Sequence, residues 1–174
     1  CKRRRKLKRL FSILAFIFAA GNAGAQEPGL KIGDKAPEIR LLTAANDSFA
    51  LSSLRGRLVL IDFWATWCAP CIKEQPELKH LYDGLKKHVG EGKFEILGVS
   101  LDKSRENWIK TIERLQIGWP QVSDLKFWRS PVAKAYHIEE LPFNVIIDGH
   151  GKIIAMNLHG KELEAFVRRH LETD

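Results

Sequence analysis

Residues 58–63, Leu-Val-Leu-Ile-Asp-Phe, run straight into Trp64-Ala65-Thr66-Trp67-Cys68-Ala69-Pro70-Cys71, and no other stretch constrains the chain as strongly. Two thiols three positions apart can close a small ring only if the backbone between them turns helical. A strand feeding a helix start supplies that turn. The same helix start offers unpaired N–H groups and partial positive charge, which favour a thiolate over a thiol. Pro70 suits the first helical turn, where a missing N–H and a fixed φ do no harm. Strand, Cys-x-x-Cys and helix in that order read as a redox dithiol.

Other uses of paired cysteines fit less well. Structural zinc needs two further ligands, yet Cys1 is the one remaining cysteine, and His80 and His88 lack finger-like spacing. A c-type haem attachment needs His directly after the second cysteine, where Ile72 stands. A structural cross-link between residues this close restrains little of the unfolded chain. No metal is expected, and no cofactor beyond the Cys68–Cys71 pair itself.

Lys2, Arg3, Arg4, Arg5, Lys6, Lys8 and Arg9 precede an apolar run over residues 10–20, and Ala23-Gly24-Ala25 follows. This is the pattern of a secretory signal peptide spanning residues 1–25, with an uncleaved membrane anchor as the alternative. It predicts an extracytoplasmic, periplasmic protein. The segment also holds all of the net charge of +7, so residues 26–174 are neutral and the pI of 9.4 is no sign of a nucleic-acid partner. Residues 26–174 suffice for one domain with a real core. Exported proteins usually carry several spaced disulfides, whereas this part of the chain holds only Cys68 and Cys71. Such a chain works on disulfides and is not stapled by them.

The remaining pattern gives the order β-hairpin, β, α, β, α, β, β, α. Residues 39–42 and 49–51 flank the turn signal Asn46-Asp47 and read as a hairpin. Residues 58–63 are apolar on both faces and belong in the centre of a covered sheet. A helix over residues 69–87 carries Leu78, Leu81, Tyr82 and Leu85 on one face, with Pro76 kinking it near Ile72. Residues 94–101 are a buried strand, followed by a helix capped by Asp102 or Ser104 that buries Trp108, Ile112 and Leu115. Residues 118–131 read as an irregular, aromatic-rich connection, and a short helix follows through Tyr136. A hairpin over residues 143–158 turns at Asp148-Gly149-His150-Gly151, and a last helix presents Leu163, Phe166, Val167 and Leu171. His137, His150 and His159 read as surface or loop residues. The class is α/β, with a mixed central sheet, helices on both faces, an N-terminal β-hairpin extension and a central strand–helix insertion.

With these residues in view, the chain resembles the TlpA/ResA-like exported thiol-disulfide oxidoreductases of the thioredoxin fold. The resemblance extends from about Gly33 to the C-terminus. It rests on residues 59–71, on Glu74 and Pro76 beyond the second cysteine, and on Leu141-Pro142 followed by Val145-Ile146-Ile147-Asp148-Gly149, similar to the family's cis-proline loop. It implies that Cys68 attacks a partner disulfide and that Cys71 resolves the mixed disulfide. Asp62 and Glu74 are the implied proton handlers, and Trp67, Pro70, Leu141 and Pro142 the residues facing the substrate. Trp67 reads equally well as ordinary core packing. Two positions depart from the family pattern. Phe143-Asn144 replaces the Thr-Thr of many relatives, and Asp62 stands where some relatives carry an amide.

The implied function is a disulfide reductase that exchanges disulfides with protein substrates and draws electrons from a membrane thiol donor, with cytochrome c biogenesis among the roles of the family. A monomer is the expected working unit. A peroxiredoxin-like peroxidase is the first alternative, although its nucleophile usually follows Thr by three residues and Ala65 fills that place. A non-catalytic peptide-binding module is the second, although a binder needs neither the thiol pair nor both acids.

Overall fold

The computed structural model describes residues 29–173, so the signal-peptide reading of residues 1–25 lies outside the described residues. A hairpin of β1 (Arg40–Thr43) and β2 (Ser48–Ala50) leads through a 3-10 turn to β3 (Leu58–Trp64), α1 (Ala69–Gly84) and α2 (Lys86–Gly90). Next come β4 (Phe94–Ser100), α3 (Arg105–Leu115), β5 (Gln121–Ser123) and α4 (Pro131–Ala135). The chain then finishes with β6 (Phe143–Ile147), β7 (Ile153–Met156) and α5 (Gly160–Thr173). All seven strands form one sheet in the order β2-β1-β5-β4-β3-β6-β7.

The apolar run at residues 58–63 does occupy the interior. β3 pairs in parallel with β4 and antiparallel with β6, and every residue of β3 and β4 is buried. β3, β4 and β5 run parallel and step outward in one direction. Right-handed crossovers along that path put α1 and α3 on the same face of the sheet. There they meet α5 over Leu60, Trp64, Ile96, Leu78, Leu81, Trp108 and Val167. The opposite face is covered by α4, by the 3-10 turn Leu51–Leu54 and by residues 36–39, packed on Ile61, Phe63, Leu97 and Tyr136. Helical cover is therefore present on both faces but is unequal.

Three local expectations are corrected. Residues 118–131 contain β5, a strand too short and too polar at its ends to show an alternation. Its Gln121 and Ser123 are nonetheless buried, because Gln121 accepts from Trp64 Nε1 at 2.9 Å and Ser123 donates to the Ser100 carbonyl at 2.8 Å. α1 runs on past Pro76 but stops at Gly84, short of residue 87, where Leu85 leaves helical angles to bury its side chain. Ser104 alone caps α3, accepting from Asn107 N.

Before the hairpin, the chain lies along the start of β7. Gly33 N donates to Ile153 O, Ile153 N to Asp34 O and Ala36 N to Gly151 O, at 2.8, 2.9 and 2.9 Å. At the far edge, β1 reaches β5 through two residue pairs, and Arg105 of α3 ties that hairpin down by donating to the Ala44 carbonyl at 2.6 Å.

Candidate active site

β3 ends at Trp64, and the turn that follows delivers Cys68 to the N-cap of α1. Asp102, just past β4, holds this turn, so the residue offered as a helix cap has another task. Its carboxylate accepts from Thr66 Oγ1 at 2.6 Å and from Thr66 N at 3.2 Å, while Ser100 Oγ donates to its other oxygen at 2.7 Å. Cys68 and Cys71 are joined in a disulfide across the first turn of α1. Cys68 Sγ accepts from Cys71 N at 3.2 Å, which places its sulfur among the helix-terminal N–H groups. Cys68 is 6% exposed and Cys71 fully buried, so a partner reaches Cys68 first.

Trp67 is 47% exposed and lies outside the core. Its indole N–H donates to the Leu101 carbonyl at 3.2 Å, and its ring meets Phe127 edge-on with centroids 5.0 Å apart and Trp128 at 5.9 Å. Leu141-Pro142 is a cis peptide. Pro142 and Pro70 line one small groove together with Lys73, Glu74 and His159. The elements thus bring Pro70, Glu74 and Pro142 to one place, and Leu141 precedes Pro142 in the loop before β6.

Alternation along β3 sends Leu58, Leu60, Asp62 and Trp64 to the face where Cys71 and α1 pack. Asp62 is wholly buried there, with Gln75 Nε2 donating to its Oδ2 at 3.0 Å. Burial pushes its carboxyl up to about 7, and the Glu74 carboxylate adds to that. The Gln75 hydrogen bond and a charged His159 act in the opposite direction. Glu74 itself meets His159, whose Nδ1 lies 2.7 Å from its Oε1. His159, taken from sequence as an unpartnered loop residue, and Gln75 are the site residues that reading missed. Their partners are 85 and 13 positions away, a separation that leaves no local pattern. Among the described residues no group of side chains could hold a metal ion.

A dithiol at a helix start, fed by the central strand of this sheet and faced by a cis-proline loop, defines a thioredoxin-fold protein that exchanges thiols and disulfides. The sequence profile of the AhpC/TSA family matches residues 32–156, and the chain belongs to that family. It is 30% identical to the thiol-disulfide oxidoreductase ResA of Geobacillus kaustophilus, over 99% of this chain and 97% of that one. It is 31% identical to ResA of Halalkalibacterium halodurans, over 91% and 89%. Among solved structures, the thioredoxin domain of a thiol-disulfide oxidoreductase from Bacteroides vulgatus superposes with a TM-score of 0.75. The two are 34% identical, covering 82% of this chain and 99% of that one. A thiol-disulfide oxidoreductase from Bacteroides fragilis gives a TM-score of 0.74 at 34% identity, covering 79% and 99%. The protein is a TlpA/ResA-like thiol-disulfide oxidoreductase.

Proposed function

We propose that this oxidoreductase works in the reducing direction, outside the cytoplasm, on disulfides of protein clients. The observation that carries the reading is the Cys68–Cys71 pair at the start of α1, with Asp62 buried on the same face. In the reduced state the Cys68 thiolate attacks a client disulfide. A bond from Cys68 to one client sulfur forms, and the other client sulfur leaves as a thiolate. Cys71 gives its proton to Asp62 and attacks Cys68 Sγ, which closes the Cys68–Cys71 disulfide and releases the second client thiol. The client gains two electrons, and a membrane thiol donor restores the pair. Glu74 assists this proton movement, while Trp67, Pro70, Leu141 and Pro142 receive the client segment. The dithiol is the whole of the redox equipment. Residues 1–25 direct export and are then removed, or stay as an anchor. Apo-cytochrome c thiols are one client class that this chemistry suits.

The deciding measurement is equilibration in glutathione buffers, together with turnover of insulin disulfides and of peroxide. A potential near the thioredoxin end of the known range, roughly −270 mV, with insulin reduced and peroxide untouched, is the expected result. A strongly oxidising potential would reverse the direction, and peroxide consumption would favour peroxidase chemistry. Binding of peptides without exchange would leave only a docking module. At the level of single steps, Cys71→Ser is expected to trap clients on Cys68, whereas Cys68→Ser traps none. Asp62→Asn is expected to slow resolution about 10²-fold in stopped-flow while sparing the first attack.

A further inference from the structure

The segment between β7 and α5 is fastened by Asn144, one of the two residues that break the family pattern after Pro142. Asn144 is buried and pairs with Asp62 across β3 and β6. Its Nδ2 donates to the Leu158 carbonyl at 2.5 Å, and its Oδ1 accepts from Leu158 N at 3.1 Å. Its own carbonyl accepts from Asn157 N at 2.8 Å. Asn144 presents separate donor and acceptor atoms to the two edges of Leu158, where a threonine would have to donate and accept through one oxygen. The consequence is that the next residue, His159, sits against Glu74.

We infer that His159 is a positioning residue, which holds Glu74 and tunes the charge that Asp62 experiences; the inference rests on the proton-transfer reading of Asp62 given above. His159 Nδ1 lies 2.7 Å from Glu74 Oε1, and Nε2 lies 2.9 Å from Asn157 Oδ1. Nδ1 can donate to the Glu74 carboxylate, and a protonated ring can donate to Asn157 Oδ1 as well. The side chain is 38% exposed, which gives it ready proton exchange with water. The charged groups around it are Glu74, Lys73 and Glu77 of α1, with Lys161 at the start of α5. Asp62 is faced by Glu74, by His159 and by the neutral Gln75.

Glu74 and a charged His159 act on Asp62 with opposite sign. The carboxylate makes proton loss from Asp62 harder, and the imidazolium makes it easier. During resolution the Cys71 proton passes to Asp62, and the pair closes as the client thiolate leaves and takes a proton from water. Asp62 must then give up its proton, to water or back to Cys71 when the pair is reduced again, before another turnover. A cation bonded to Glu74 at the solvent side favours that release. Without it, the Glu74 carboxylate acts on Asp62 with no cation to oppose it, and the proton stays on Asp62 longer.

The sign difference supplies the test. Reduced protein is mixed with a dithiobis-nitrobenzoate probe, and the second thionitrobenzoate release, which reports resolution, is followed from about pH 5 to about pH 9. The inflection is expected to rise by roughly half a unit to one unit in His159→Gln and to fall in Glu74→Gln. A purely structural role would move both variants the same way. In parallel, the Asp62 carboxyl is titrated by carbon NMR in the reduced protein. An Asp62 titration that stays put, or falls, in His159→Gln overturns the inference. An Asp62 titration that rises while the rate inflection does not follow upholds the coupling and overturns the assignment of Asp62 as the base.

Discussion

At the scale of single residues, Asp62 is a costly group and an informative one. A carboxylate in an apolar strand loses its hydration, and a single amide donor from Gln75 replaces only part of it. The folded carboxyl sits near 7, against 3.8 for the free group. The folded state therefore holds this proton longer than the unfolded chain does. Its contribution is fully favourable below about pH 4, is lost as pH rises towards about pH 7, and amounts to about 4 kcal/mol by linkage. Urea unfolding of Asp62→Asn should then show little difference from the parent near pH 4 and a clear gain near pH 8. Equal curves at both values would mean that Asp62 is not desolvated. Sequence reading reached this residue because an acid interrupts Leu60, Ile61 and Phe63. It did not reach Gln75 or His159, since a polar side chain on a helix or after a strand looks solvated until the tertiary fold supplies its neighbour.

At the scale of elements, the legible parts were those whose pattern is internal to the element. The buried strands β3 and β4 and the amphipathic α5 declare themselves by composition and period. β5 does not, because its three residues are buried by agreements with other strands. Gln121 reaches across β4, and the position it crosses is Gly98. A Cβ built there would lie 2.1 Å from Gln121 Nε2. Gly98→Ala is thus expected to push Gln121 off Trp64 Nε1 and to cost about 1–3 kcal/mol in denaturant unfolding. Combining it with Gln121→Ala should relieve the crowding, although Trp64 still loses its acceptor. If the double variant is no more stable than Gly98→Ala alone, crowding by Gln121 is not the reason for the glycine. The turn at residues 65–67 follows the same logic. Asp102 was legible as a capping residue, but its use by Thr66 required β4 to lie beside β3.

At the scale of the whole molecule, charge is divided along the chain, with all seven excess cations before residue 10. Export with cleavage after Ala25 would remove every excess cation, so the isoelectric point should fall from about 9.4 towards neutrality. Isoelectric focusing of the extracytoplasmic form checks this, and a product that stays strongly basic would favour the retained anchor. A neutral protein lacks the mutual repulsion that keeps many proteins apart in solution. The strap formed by residues 33–36 then acquires a second meaning. It occupies backbone groups at the start of β7, one border of the sheet, while β2 at the other border is only three residues long. Blunted borders of this kind give a neighbouring molecule little to extend by strand pairing. In a form without residues 1–25, the way the sheet ends would take the place of a shared sign of charge in keeping molecules apart.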